Sequence, residues 1–69
     1  MFGDKEATVL DSRTFDLHGM TYHDVTVRFS DGSVEQARLG AESVPDGIRP
    51  GERVIASRVA NMIVSLSRP

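Results

Sequence analysis

Apolar and polar positions alternate most cleanly in the middle of the chain. Val25, Val27 and Phe29 are interleaved with Thr26, Arg28 and Ser30, the period of a strand with one buried face. Ser30-Asp31-Gly32-Ser33 follows at once, a turn signal, and beyond it Glu35, Ala37 and Leu39 alternate with Val34, Gln36 and Arg38. The pattern predicts a β-hairpin. A competing helix over Val34, Ala37 and Ala41, opened by the capping box Ser33-x-x-Gln36, is interrupted by Gly40. The faces also fix the register. Ala37 and Leu39 share a face with Val25 and Val27 only if paired residue numbers sum to an even value. A three-residue loop, Ser30-Asp31-Gly32, with Gly32 left-handed at a bulge, meets that condition. It sets Val25 opposite Ala37 inside and Asp24 opposite Arg38 outside, where opposite charges are mildly favourable.

The rest of the chain reads as three more short strands. Residues 7–14 are rich in β-branched side chains, with Phe15 expected to close the strand as a core residue and 16–20 to form the connection, bending at Gly19. Residues 1–5 are expected to be a flexible N-terminus. Pro45, Asp46, Gly47, Pro50 and Gly51 break any regular element between 40 and 51, apart from a single helical turn around Ala41, Glu42 and Ser43. Residues 52–58 form a fourth strand with Val54 and Ala56 facing in. Residues 62–67 form a fifth, with Met62, Val64 and Leu66 on one face and the turn at Ala60-Asn61. Strands near 7–14, 21–30, 33–39, 52–58 and 62–67, with no long helix, predict an all-β domain. Open edges invite pairing with other chains, so we expect a small five-stranded, partly open barrel, SH3-like or OB-like. Its core is expected to contain Val9, Phe15, Val25, Val27, Phe29, Leu39, Val54, Val64 and Leu66.

Composition narrows the function. With 69 residues this is one domain, and Val, Ile, Leu and Phe make up 18 of them, enough to collapse rather than remain disordered. So small a core leaves no room for a buried active site, which places any function on faces, loops or an open edge. A net charge of −2, with both signs scattered, argues against a duplex-DNA or anionic-membrane binder. The absence of cysteine fits a reducing compartment, and no apolar run is long enough to span a bilayer. A cytoplasmic protein is the expectation.

Candidate chemistry is sparse. Asp16, His18, His23 and Asp24 are metal-ligating types, but their spacing lacks the tight pairs of zinc sites, so no metal is expected and the histidines are assigned to a loop and a strand. No nucleophile-elbow Gly-x-Ser-x-Gly occurs, and Asp11, Asp16, Asp24 and Asp31 are spread over strand edges and turns. No enzymatic activity and no cofactor are expected. The stretch 45–53 carries glycines and arginines, yet Pro50 lacks the amide donor an anion nest needs, so it reads as a tight entry into the fourth strand. What remains is a hairpin face bearing Tyr22, Arg28, Val34 and Arg38. Tyrosine and arginine are enriched at interface hot spots, and the expected partner is another protein or a second copy of the chain. The alternative is weak binding of single-stranded nucleic acid, with Tyr22 as a stacking platform beside Arg28, Arg38 and Arg53; the net charge disfavours it.

Ala7-Thr8-Val9 with Arg13-Thr14, then Tyr22, Val25-x-Val27-x-Phe29, Asp31-Gly32 and Pro50-Gly51-Glu52-x-Val54 resemble a pattern shared by short bacterial β-barrel domains of unknown function. More loosely, they resemble the soluble OB-like barrel that closes NfeD-type membrane proteins. The likeness covers about residues 7–67. It implies a small barrel and brings no catalytic residue. The spacing from Tyr22 to Val25 is one longer than the usual Tyr-x-Val, and the membrane anchor often found in those groups is not expected here.

Overall fold

The computed structural model describes residues 2–69. Five strands form one antiparallel sheet: β1 (Phe2–Leu17), β2 (Met20–Phe29), β3 (Val34–Gly40), β4 (Arg53–Val59) and β5 (Met62–Ser67). A single 3-10 turn, Ala41–Ser43, lies between β3 and β4. The spatial order is β3-β2-β1-β4-β5, so the longest strand is central. Its first half, from Phe2 to Thr8, pairs with β4, and its second half, from Ala7 to Leu17, pairs with β2. The sheet curls around its apolar face without closing. β3 and β5 approach each other but are not paired. This is the partly open arrangement expected from the strand count.

The central hairpin takes the register argued from its pattern. Val25 lies opposite Ala37 and Asp24 opposite Arg38. The Phe29 and Ser33 backbones close the loop, Phe29 N–H donating to the Ser33 carbonyl at 2.9 Å. Gly32 has φ +88°, open to glycine and strained for other residues. Asp31 accepts from both the Ser33 amide and the Ser33 hydroxyl, at 2.9 and 2.6 Å, which is how an aspartate holds a turn.

Two bulges account for the departures from expectation. The β1–β2 register shifts between Val9 and Asp11, leaving Leu10 as the extra residue. Past it the faces of β1 exchange, because an added residue reverses strand alternation. Ser12 now shares the core face with Val25, and Phe15 turns outward opposite Tyr22. Phe15 is half-buried and is not part of the core. In β5 the register shifts where Ser57 pairs Ser65 and Arg58 pairs Ile63, leaving Val64 unpaired. Ile63 and Leu66 are therefore the buried residues of β5, while Val64 and Met62 are exposed. The remaining expected core residues are buried as anticipated, Ala56 faces in beside Val54 as expected, and Ala7 and Val44 join them. Residues 2–5, expected to be flexible, are strand paired to β4; Met1 lies outside the described residues.

Candidate interaction surface

The outer face of β1, β2 and β3 carries the residues with the most to offer. A two-residue turn at His18-Gly19, with φ of +53° and +79°, returns β1 into β2 and pairs Leu17 with Met20, Phe15 with Tyr22 and Arg13 with Asp24. On the far side of β2, Arg38 of β3 faces Asp24. Three strands thus deliver Phe15, Tyr22, Arg38 and Asp24 to one place. The Phe15 and Tyr22 rings stack with centroids 5.9 Å apart and planes 27° apart. The Arg38 guanidinium lies 4.6 Å from the Phe15 centroid, inside cation–π range. Asp24 fixes that guanidinium with two bonds, Nε–H to Oδ1 at 2.9 Å and Nη2–H to Oδ2 at 3.3 Å. The hydrogen bond from Arg38 holds the Asp24 carboxyl below its ordinary 3.8, and Asp24 in turn raises Arg38. Leu17 and Met20 extend the patch to the hairpin tip, 46% and 60% exposed.

Of the four residues singled out in the sequence, Tyr22 and Arg38 belong to this cluster. Arg28 and Val34 pair with each other on the same face, but they stand six residues further along β2, about 20 Å away. Arg53 lies at that far end too, beside Thr8 and paired with Glu6. Phe15, Leu17 and Met20 were missed as site residues. The signal for them is His18-Gly19: a two-residue turn there forces Phe15 opposite Tyr22.

Among the described residues, five of the seven arginines hold carboxylates, while Arg28 on the outer face is in no ion pair. Arg13 pairs with Asp11, Arg38 with Asp24 and Arg53 with Glu6; Arg58 pairs with Glu35 and Arg68 with Glu52. His23 and Asp24 are successive residues on opposite faces of β2, and His23 Nδ1 lies 3.3 Å from the Thr14 hydroxyl. Asp16 accepts from the Thr21 hydroxyl at 2.8 Å. Among the described residues no group of three potential ligands is placed to hold a metal, and no polar or charged residue is buried. Side-chain hydrogen bonds from Arg38, Ser33 and Arg68 hold the carboxyls of Asp24, Asp31 and Glu52, respectively, below their ordinary values. No helix among the described residues is long and apolar enough to cross a membrane. Comparison with family models, curated proteins and solved structures finds no match.

Proposed function

We propose that this chain is a non-catalytic protein-interaction or self-associating small β-barrel that works in the cytoplasm and recognises its partner through the outer face of β1, β2 and β3. The observation that carries this reading is the Phe15–Tyr22 stack with Arg38 laid over Phe15 and locked by Asp24. Rigid aromatic side chains and a pre-oriented guanidinium lose little freedom on binding, which favours them as interface anchors. Exposed Leu17 and Met20 add apolar area next to the anchors. The central, shared β1 and the order β3-β2-β1-β4-β5 support the OB-like alternative over the SH3-like one, and with it the likeness to short bacterial barrels.

Single-strand binding is the second reading, favoured by the same stacked pair, since bases stack on aromatic platforms. Its electrostatics are poor. Binding to a phosphate backbone draws on unpaired cations that displace counterions; Arg13, Arg38 and Arg53 on this face each hold a carboxylate, which leaves Arg28, about 20 Å along β2 from Tyr22, as the cation of this face outside any ion pair among the described residues. One experiment separates the readings: capture from source lysate on immobilised wild type and Tyr22→Ala/Arg38→Ala, each with and without nuclease. A protein retained by the wild type, lost by the variant and indifferent to nuclease supports protein interaction. Retention that nuclease abolishes, with saturable binding of a labelled oligonucleotide at low salt, overturns it for the alternative.

A further inference from the structure

The long β1 has more backbone than its neighbours cover. On the side away from β2, its pairing with β4 ends at Thr8 opposite Arg53. One further link follows, with Val9 N–H donating to Glu52 at 2.9 Å and Gly51 N–H donating to Val9 at 2.7 Å. From residue 11 to residue 17, no other described backbone group bonds to that side. The direction of these groups follows from both ends of the segment. Val9 presents its N–H and C=O away from β2, and the extra residue at Leu10 reverses the alternation. At the other end the two-residue turn makes Leu17 and Met20 a hydrogen-bonded pair. Both arguments leave Ser12, Thr14 and Asp16 with amides and carbonyls directed at the open edge, while those of residues 11, 13, 15 and 17 are engaged with β2.

The other edges are managed. β3 faces β5, and Glu35 of β3 is tied to Arg58 of β4. β5 is short and bulged at Val64, and the uncovered first half of β1 carries three successive charges, Asp4, Lys5 and Glu6. Bulges, short strands and charges are the usual protections of a sheet edge. Segment 11–17 is the longest remaining template.

We infer that this edge pairs antiparallel with the same edge of a second copy, about a two-fold axis at Thr14, giving a continuous six-stranded sheet β3-β2-β1-β1-β2-β3. The inference rests on the self-associating form of the proposed function and specifies its contact. The register follows from the ends of the slot: residues 51 and 52 block it at Val9 and the turn closes it at His18, so Thr14 is its midpoint. In that register Ser12 meets Asp16 of the second copy, a hydroxyl donor beside a carboxylate, and Arg13 meets Phe15, a cation beside a ring face. Asp11 meets Leu17, and no like charges oppose each other. Sliding the register one step, to pair Ser12 with Thr14, sets Arg13 against Arg13 and repels. Charge thus excludes the slide toward Val9, and length excludes the opposite slide, which would pair Ser12 with His18 in the turn.

Amide exchange on the wild-type chain reads this contact directly. At high concentration the amides of Ser12, Thr14 and Asp16 are expected to exchange slowly along with those of residues 11, 13 and 15. On dilution the first set becomes fast and the second stays slow. Sedimentation run in parallel should show a dimer whose dissociation constant rises at least tenfold in Thr14→Lys, which places two ammonium groups on the axis at an exposed position, and is unchanged in Tyr22→Ala. A wild-type monomer with fast amides at 12, 14 and 16 at every concentration overturns the inference. So does a dimer that Tyr22→Ala dissociates and Thr14→Lys leaves intact, an outcome that keeps the outer face as the interaction surface. Failure of the lysate capture, with the concentration-dependent exchange still present, removes the heterologous reading alone.

Discussion

Among the described residues, two other than glycine adopt left-handed backbone, His18 at φ +53° and Ala60 at φ +55°. That region costs an L-residue about 1–2 kcal/mol, so each turn is held by its strands at some expense. Ala60→Gly removes the strain and loses part of the gain to the greater freedom of glycine when unfolded; a net stabilisation of about 0.5 kcal/mol is expected, visible as a higher Tm. The converse change, Gly32→Ala, places a Cβ at φ +88° and should cost about 1–2 kcal/mol in denaturant unfolding, although open space surrounds the position. Single charges speak through pH. Asp24 and Asp31 sit below their ordinary 3.8 and Glu52 below 4.5. Lowered folded-state values mean that the unfolded chain binds more protons as the pH drops, so this stabilisation is complete above about 4.5 and is lost as the solution is acidified through the depressed range. Thermal melts should be insensitive to these groups near neutrality and fall below about pH 4, and Asp24→Asn should flatten that acid limb.

At the scale of elements, the two bulges decide which side chains matter. Ile63→Ala should cost about 2–5 kcal/mol, enough to unfold much of so small a protein, whereas Val64→Ala should stay within about 0.5 kcal/mol; urea midpoints of the pair check the assignment. Alternation alone ranks them the other way, since Met62, Val64 and Leu66 fall on one face of an unbroken strand. The β2–β3 hairpin was legible because its turn residues and its alternation agree on one register. Within strand β1, the faces were legible only from Ala7 to Leu10. Nothing in Val9-Leu10-Asp11 announces an inserted residue, and past it every side chain changes face, which is why Phe15 reads as core and emerges beside Tyr22. The same reversal hid half of the candidate surface: Tyr22 and Arg38 could be placed from their own hairpin, but Phe15 depends on a register that only the His18-Gly19 turn discloses. The strand character of residues 2–5 was hidden for another reason. Gly3, Asp4, Lys5 and Glu6 are poor strand formers, and only a remote partner, β4, makes them extended.

The whole molecule closes its open side with a side chain rather than a strand. Arg58, on the core face of β4, reaches Glu35 of β3 at 2.5 Å and lies 5.3 Å from the Phe29 ring centroid. Its side chain is 20% exposed, and its Nε has no partner among the described residues. A guanidinium held so far out of water recovers little net stability from one carboxylate. Replacing both partners, Arg58→Met with Glu35→Leu, keeps the aliphatic cover over Phe29, leaves no charge unpaired and should be neutral or stabilising in thermal melts. Arg58→Ala strips the cover and strands Glu35, at a cost of about 1–3 kcal/mol.

The position of β1 at the centre of the sheet also orders events in time. Its pairing with β2 joins chain neighbours through a two-residue turn, and β2 joins β3 as locally, whereas its pairing with β4 brings Phe2 to Val59, residues near opposite ends of the chain. Loop-closure entropy makes the distant pairing slow to form. The β1–β2–β3 meander is thus expected to assemble in the rate-limiting step and β4–β5 to dock onto it afterwards. Gly32→Ala should slow folding, while substitutions at Ile63 should chiefly accelerate unfolding, a division that stopped-flow kinetics would resolve.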